Sequence, residues 1–140
     1  MNYTLKNIPE RTSKPRTEGF TMVMDKGLSL REVEDLIETS GGLFDIVKLG
    51  WATSYVTPNL DQKIKLYQEA GIPCYLGGTL FEAFYIREQL DDYKRVLEKY
   101  NLEHCEVSDG SVSMDHDHKC EIIADFSKLV TVLSEVGSKD

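Results

Sequence analysis

Clustered positive charge is the first thing missing from this sequence. Its 16 Lys and Arg are outnumbered by 24 Asp and Glu, a formal net charge of -8 over 140 residues, and no long basic run offsets the balance. Nucleic-acid binding depends on Lys and Arg gathered against phosphates, so that class of partner is not expected. Long hydrophobic runs are missing too. No stretch approaches the roughly 20 apolar residues of a membrane span, and the first 18 residues are polar where a signal peptide would be apolar. The expectation is a soluble, cytoplasmic protein that engages neither nucleic acid nor membrane. Cysteine is scarce and unpatterned. Cys74, Cys105 and Cys120 are odd in number and lack C-x-x-C spacing, and two of them lie in apolar runs, so buried thiols are expected rather than a disulfide or a nucleophile.

What the chain does have is ordinary globular material. With 41% hydrophobic and 29% charged residues it can bury the core of one domain. Its four clearest strand candidates are short apolar runs that end in charge: Met22-Val23-Met24 into Asp25-Lys26-Gly27, Ile46-Val47 into Lys48-Leu49-Gly50, Cys105-Glu106-Val107-Ser108 into Asp109-Gly110, and Val132-Leu133-Ser134 into Glu135-Val136-Gly137. A strand covered on both faces should be almost continuously apolar, so a recurring charge near its C-terminal end needs a reason other than packing. In parallel α/β folds that end is where ligands bind.

Between these runs the pattern alternates strand and helix, the signature of parallel βαβ units. After a polar arm over 1–18, the remainder, 19–140, reads as strands near 20–25, 44–49, 73–76, 104–108 and 130–136. Helices fall near 29–40, 59–70, 79–100 (interrupted near Gln89 to Asp91) and 115–128. Ser29 with Glu32 three residues on forms a capping box, and Gly71 ends the second helix. Five strands joined by right-handed crossovers leave an open doubly wound sheet or the first part of an eight-stranded barrel, and charge at several strand ends favours the barrel. A complete barrel needs about 200 residues or more, so the chain is expected to be an N-terminal portion truncated after strand five. Strands one and five would then be open edges, and association into a homo-oligomer is expected.

Lys26 and Lys48 are the obvious groups for an anionic small molecule. Lys48, between Val47 and Leu49, is hard to explain as a solvated lysine, whereas Asp25 and Lys26 are equally readable as turn residues before Gly27. Gly77-Gly78-Thr79 is either a plain strand-to-helix turn with Thr79 as N-cap or a set of backbone amides suited to an anion. Asp115-His116-Asp117-His118-Lys119-Cys120 invites a metal reading, but residues two apart on a helix do not face each other, and a Ser113 or Asp115 N-cap explains the segment.

Taken in order, Lys14-Pro15-Arg16, Asp25-Lys26-Gly27, Asp45-Ile46-Val47-Lys48-Leu49-Gly50-Trp51 with Thr53-Ser54, Gly77-Gly78-Thr79-Leu80-Phe81-Glu82, Glu106-Val107-Ser108-Asp109-Gly110 and Leu133-Ser134-Glu135-Val136-Gly137-Ser138-Lys139 resemble the phosphosulfolactate synthases. The resemblance implies a partial (β/α)8 barrel and a magnesium-dependent addition of sulfite to phosphoenolpyruvate, giving (2R)-phospho-3-sulfolactate, a product that leads to coenzyme M in methanogens and to sulfolactate in some bacteria. It also implies three further strands that this chain lacks, so the chain alone is expected to be incomplete for activity. By position in the family's last block, Lys139 is the implied general acid. Lys26, Lys48, Gly78, Thr79 and Ser108 are expected to bind substrate. Glu106 and Glu135, then Asp25 or Asp109, are the candidate magnesium ligands, because that cation needs only one or two carboxylates. A plant heat-stress-associated protein resembles the same family, which leaves a non-catalytic barrel fragment or a stress-associated homologue acting by interaction as the alternative.

Overall fold

The computed structural model describes residues 3–137. The elements run β1 (Met22–Asp25), α1 (Leu30–Ser40), β2 (Ile46–Leu49), a 3-10 turn (Thr53–Tyr55), α2 (Leu60–Glu69), β3 (Cys74–Leu76), α3 (Gly78–Tyr85), α4 (Leu90–Lys99), β4 (His104–Val107), α5 (His116–Phe126) and β5 (Thr131–Ser134). Local sequence sets most of these boundaries. Ser29 accepts from the Glu32 amide while the Glu32 carboxylate accepts from the Ser29 amide, the capping box expected for α1. Asp115 caps α5 by accepting from the His118 amide. The interruption expected near Gln89 to Asp91 does not fall inside α4 but just ahead of it, where Glu88 takes a left-handed φ of 57° between two helices. Nor does Thr79 cap: Gly77 occupies that position and α3 begins at Gly78.

All five strands are parallel and lie side by side in sequence order, β1-β2-β3-β4-β5. A doubly wound sheet reverses its order at a switch point to place helices on both faces. Here the order never reverses. Alternate strand residues Val47, Leu49, Cys74, Leu76, Cys105 and Val107 share one buried cluster with Val33, Ile64, Tyr67, Phe81, Tyr93, Leu97 and Phe126 of the helices. The other residues of those strands, including Met24, Lys48, Tyr75, Glu106 and Leu133, stand on the opposite face, since side chains alternate along a strand. The result is an α/β fold whose sheet has the order and one-sided helix cover of a barrel segment.

The arm docks at the N-terminal ends of the strands. Arg16 Nη1 lies 2.5 Å from Asp45 Oδ1, Arg11 Nη2 lies 3.5 Å from Asp45 Oδ2, and Lys14 donates to the Gly41 carbonyl at 2.8 Å. The Thr21 amide donates to the same Asp45 carboxylate at 2.8 Å. These contacts join the arm to the segments entering β1 and β2. Among the described residues no helix is long and apolar enough to cross a membrane.

Candidate functional site

Charged and hydroxylic side chains gather at the C-terminal ends of β2, β3, β4 and β5. Strand phase puts Lys48 and Glu106 on the same face of the sheet although 58 residues separate them, and Lys48 Nζ lies 2.7 Å from Glu106 Oε1. The Gly78 amide, first in α3, donates to that oxygen at 2.8 Å. The anion at this helix start is therefore a side chain of the protein itself. Glycine is required there by space: a Cβ on Gly78 would come within 2.7 Å of Glu106 Oε1 and would also strike Ser108. Tyr75 lies beside Glu106, and its phenol is pushed above its ordinary range by burial and then by the nearby carboxylate, so it stays a neutral donor.

Two residues beyond Glu106, Ser108 begins a second group. Its hydroxyl contacts Glu82 Oε1 of α3 and lies 2.8 Å from Glu135 Oε2, while the Gly110 amide reaches it at 3.3 Å. Glu82 and Ser108 are buried, and Glu135 is half-buried at the end of β5. A serine hydroxyl carries one proton, so it donates to only one of the two carboxylates at a time.

The other expected site residues do not join these groups. Asp25 alternates onto the helix-covered face, where Lys63 Nζ (3.1 Å) and the Tyr67 hydroxyl (3.1 Å) hold its Oδ2. Asp109 pairs with Lys119 at 2.6 Å, and that lysine also donates to the Glu135 carbonyl at 2.6 Å. Lys26 is exposed, with its Nζ 5.8 Å from the Trp51 ring centroid. Thr79 is half-buried in the first turn of α3. Lys139 lies outside the described residues. Arg16 sits at the opposite end of the strands, its side chain almost wholly covered beside Asp45.

A profile of the (2R)-phospho-3-sulfolactate synthase family (ComA) matches residues 9–140. The chain belongs to that family. It is 39% identical to the phosphosulfolactate synthase of Bacillus subtilis (strain 168) over 140 residues, which is all of this chain and 56% of that protein. Identity is 35% over 135 residues to the phosphosulfolactate synthase of Methanothermobacter thermautotrophicus, covering 94% of this chain and 52% of the relative. For that of Methanocaldococcus jannaschii it is 40% over 124 residues, 86% of this chain and 49% of the relative. The chain thus spans about half the length of the curated relatives it matches.

Four buried side chains at or beside the strand ends escaped the sequence reading: Glu82, Tyr75, Lys63 and Lys119. Three had a local signal. Glu82 interrupts the apolar run Leu80-Phe81-Ala83-Phe84. Lys63 precedes Ile64 and lies four residues before Tyr67, on the inward face of α2. Lys119 shares a stripe with Ile122 and Phe126. Tyr75 read simply as part of an apolar strand. The Asp115–Cys120 segment is the N-cap and first turn of α5, as its spacing predicts: His116 Nε2 lies 3.8 Å from Cys120 Sγ, and among the described residues no three His, Cys, Asp or Glu are grouped to hold a metal.

Proposed function

We propose that this segment supplies the first half of the active-site mouth of a phosphosulfolactate synthase, a carbon–sulfur lyase that adds sulfite to phosphoenolpyruvate with magnesium to give (2R)-phospho-3-sulfolactate. Family membership supports the reaction. The observation that carries it is the convergence of Lys48, Glu106, Ser108, Glu82 and Glu135 at the C-terminal strand ends, where parallel α/β folds bind ligands. A cytoplasmic, homo-oligomeric enzyme is part of the proposal, supported by the buried free thiols Cys74 and Cys105 and by the two outermost strands.

In the proposed reaction the sulfur of sulfite bonds to the methylene carbon of phosphoenolpyruvate. The electron pair of the double bond moves toward C2 and the carboxylate, and C2 takes up a proton. Lys48, held by Glu106, would bind an anionic group of the substrate and offset the charge that builds in this step. Lys139 would deliver the proton, a role that rests on its position in the family's last block. Glu82, Ser108 and Glu135 offer three converging hard oxygens, a donor set that fits a divalent cation such as magnesium. Among the expected ligands, Glu135 is the one that stands in this set. Magnesium bound there would stabilise negative charge on the substrate carboxylate.

The test is direct. Full-length protein given phosphoenolpyruvate, sulfite and magnesium should form phosphosulfolactate, and absence of product with all three present overturns the reading. In the active protein, Lys48→Met should preserve folding and lower kcat/KM by about 100- to 1,000-fold, the usual effect of losing one electrostatic donor. Kinetics like the wild type would remove Lys48 from the site.

A further inference from the structure

Lys63 is 2% exposed and Asp25 is fully buried, so each depends on the other to remain charged away from water. The Asp25 carboxylate also accepts from the Tyr67 hydroxyl at 3.1 Å and from the backbone amides of Gly27 and Leu28 at 2.7 and 2.8 Å. Replacing a buried ion pair by apolar residues is often neutral or stabilising. Stability alone therefore gives no reason for this pair. What it does is grip the turn after β1 from inside, where Gly27 adopts a φ of 112° that other residues rarely take. Lys26 lies between the gripped residues and projects toward Trp51. Trp51 and Ala52 in turn hold left-handed φ values of 57° and 55°, a conformation that non-glycine residues rarely adopt and that concentrates at functional sites.

We infer that Lys63 is a positioning residue: by holding Asp25 it fixes the turn that presents Lys26, beside Trp51, to an anionic group of the substrate. The inference rests on the proposed synthase reading and on the expectation, carried by the family resemblance, that Lys26 binds substrate.

The experiment uses full-length protein, steady-state kinetics, circular dichroism and tryptophan emission, with Trp51→Phe isolating the Trp51 signal. Lys63→Met should raise KM for phosphoenolpyruvate or sulfite about tenfold while leaving kcat within about twofold, the signature of lost substrate binding. It should also shift the Trp51 emission, and Lys63→Arg should restore both. If Lys63→Met does not fold, Asp25→Asn, which keeps shape but loses charge, carries the same readouts. A folded Lys63→Met with unchanged KM and emission overturns the inference, provided that Lys26→Met does raise KM. Unchanged KM in Lys26→Met instead overturns the substrate role of Lys26, and the inference falls with it.

Discussion

At the residue scale, burial decides which polar groups stay chemically available. Asp25, Glu106 and Asp109 each face a lysine from another part of the chain, at 3.1, 2.7 and 2.6 Å. Such partners offset the several kcal/mol that taking a charge out of water costs. The thiols show the same control without a partner. Burial, with nearby carboxylates adding to it, pushes both Cys74 and Cys105 up to about 12, so neither forms a thiolate near neutral pH. Cys120 is exposed on α5. A thiol reagent at mildly alkaline pH should therefore label Cys120 rapidly and leave Cys74 and Cys105 unmodified until denaturant is added. Mass spectrometry of the labelled peptides checks this, and prompt labelling of Cys74 or Cys105 in the folded protein would contradict their burial.

At the element scale, the strands are short and the segments entering and leaving them carry much of the polar bonding. Asp45, just before β2, is the hub at the lower end. Burial alone would raise its pKa, but the Thr21 amide and the Arg16 guanidinium outweigh that and hold its carboxyl below the usual range. A carboxyl depressed in the folded state contributes stability that is fully present above its unfolded value, about 3.9. That contribution is lost as pH falls through the lower folded value. Thermal unfolding midpoints of the wild type should drop as the medium is acidified below about pH 4. Asp45→Asn should have a lower midpoint at neutral pH and a shallower decline in acid. Parallel wild-type and variant curves would show that Asp45 contributes nothing through its charge.

At the scale of the whole molecule, β1 and β5 are the outermost strands of the described sheet, and each has one strand neighbour. Unpaired edge groups template pairing with other chains. The 140-residue chain by itself is therefore expected to self-associate at micromolar concentration, visible as oligomers or aggregates in analytical ultracentrifugation. A well-folded, stable monomer would show that these edges are already protected. The outermost β5 ends beside Glu135, so whatever closes the sheet at β5 would also wall the mouth.

Hydrophobic alternation, caps and glycine stops are local, which is why the strand and helix rhythm, the Ser29 cap and the unusual placement of Lys48 within a strand could be read from sequence. A lysine between two apolar residues of a buried strand is conspicuous one residue at a time. Register and face are not local. That Glu106 meets Lys48, that Asp25 turns away from the mouth to Lys63, and that Glu82 and Glu135 converge on Ser108 depend on how strands far apart in sequence align and which way each side chain alternates. A shift of one residue sends a strand's side chains to the opposite face. Which strands end in charge is therefore local information, whereas which of those charges neutralise one another inside the protein and which converge at the C-terminal strand ends follows from register and face, set by contacts between distant parts of the chain.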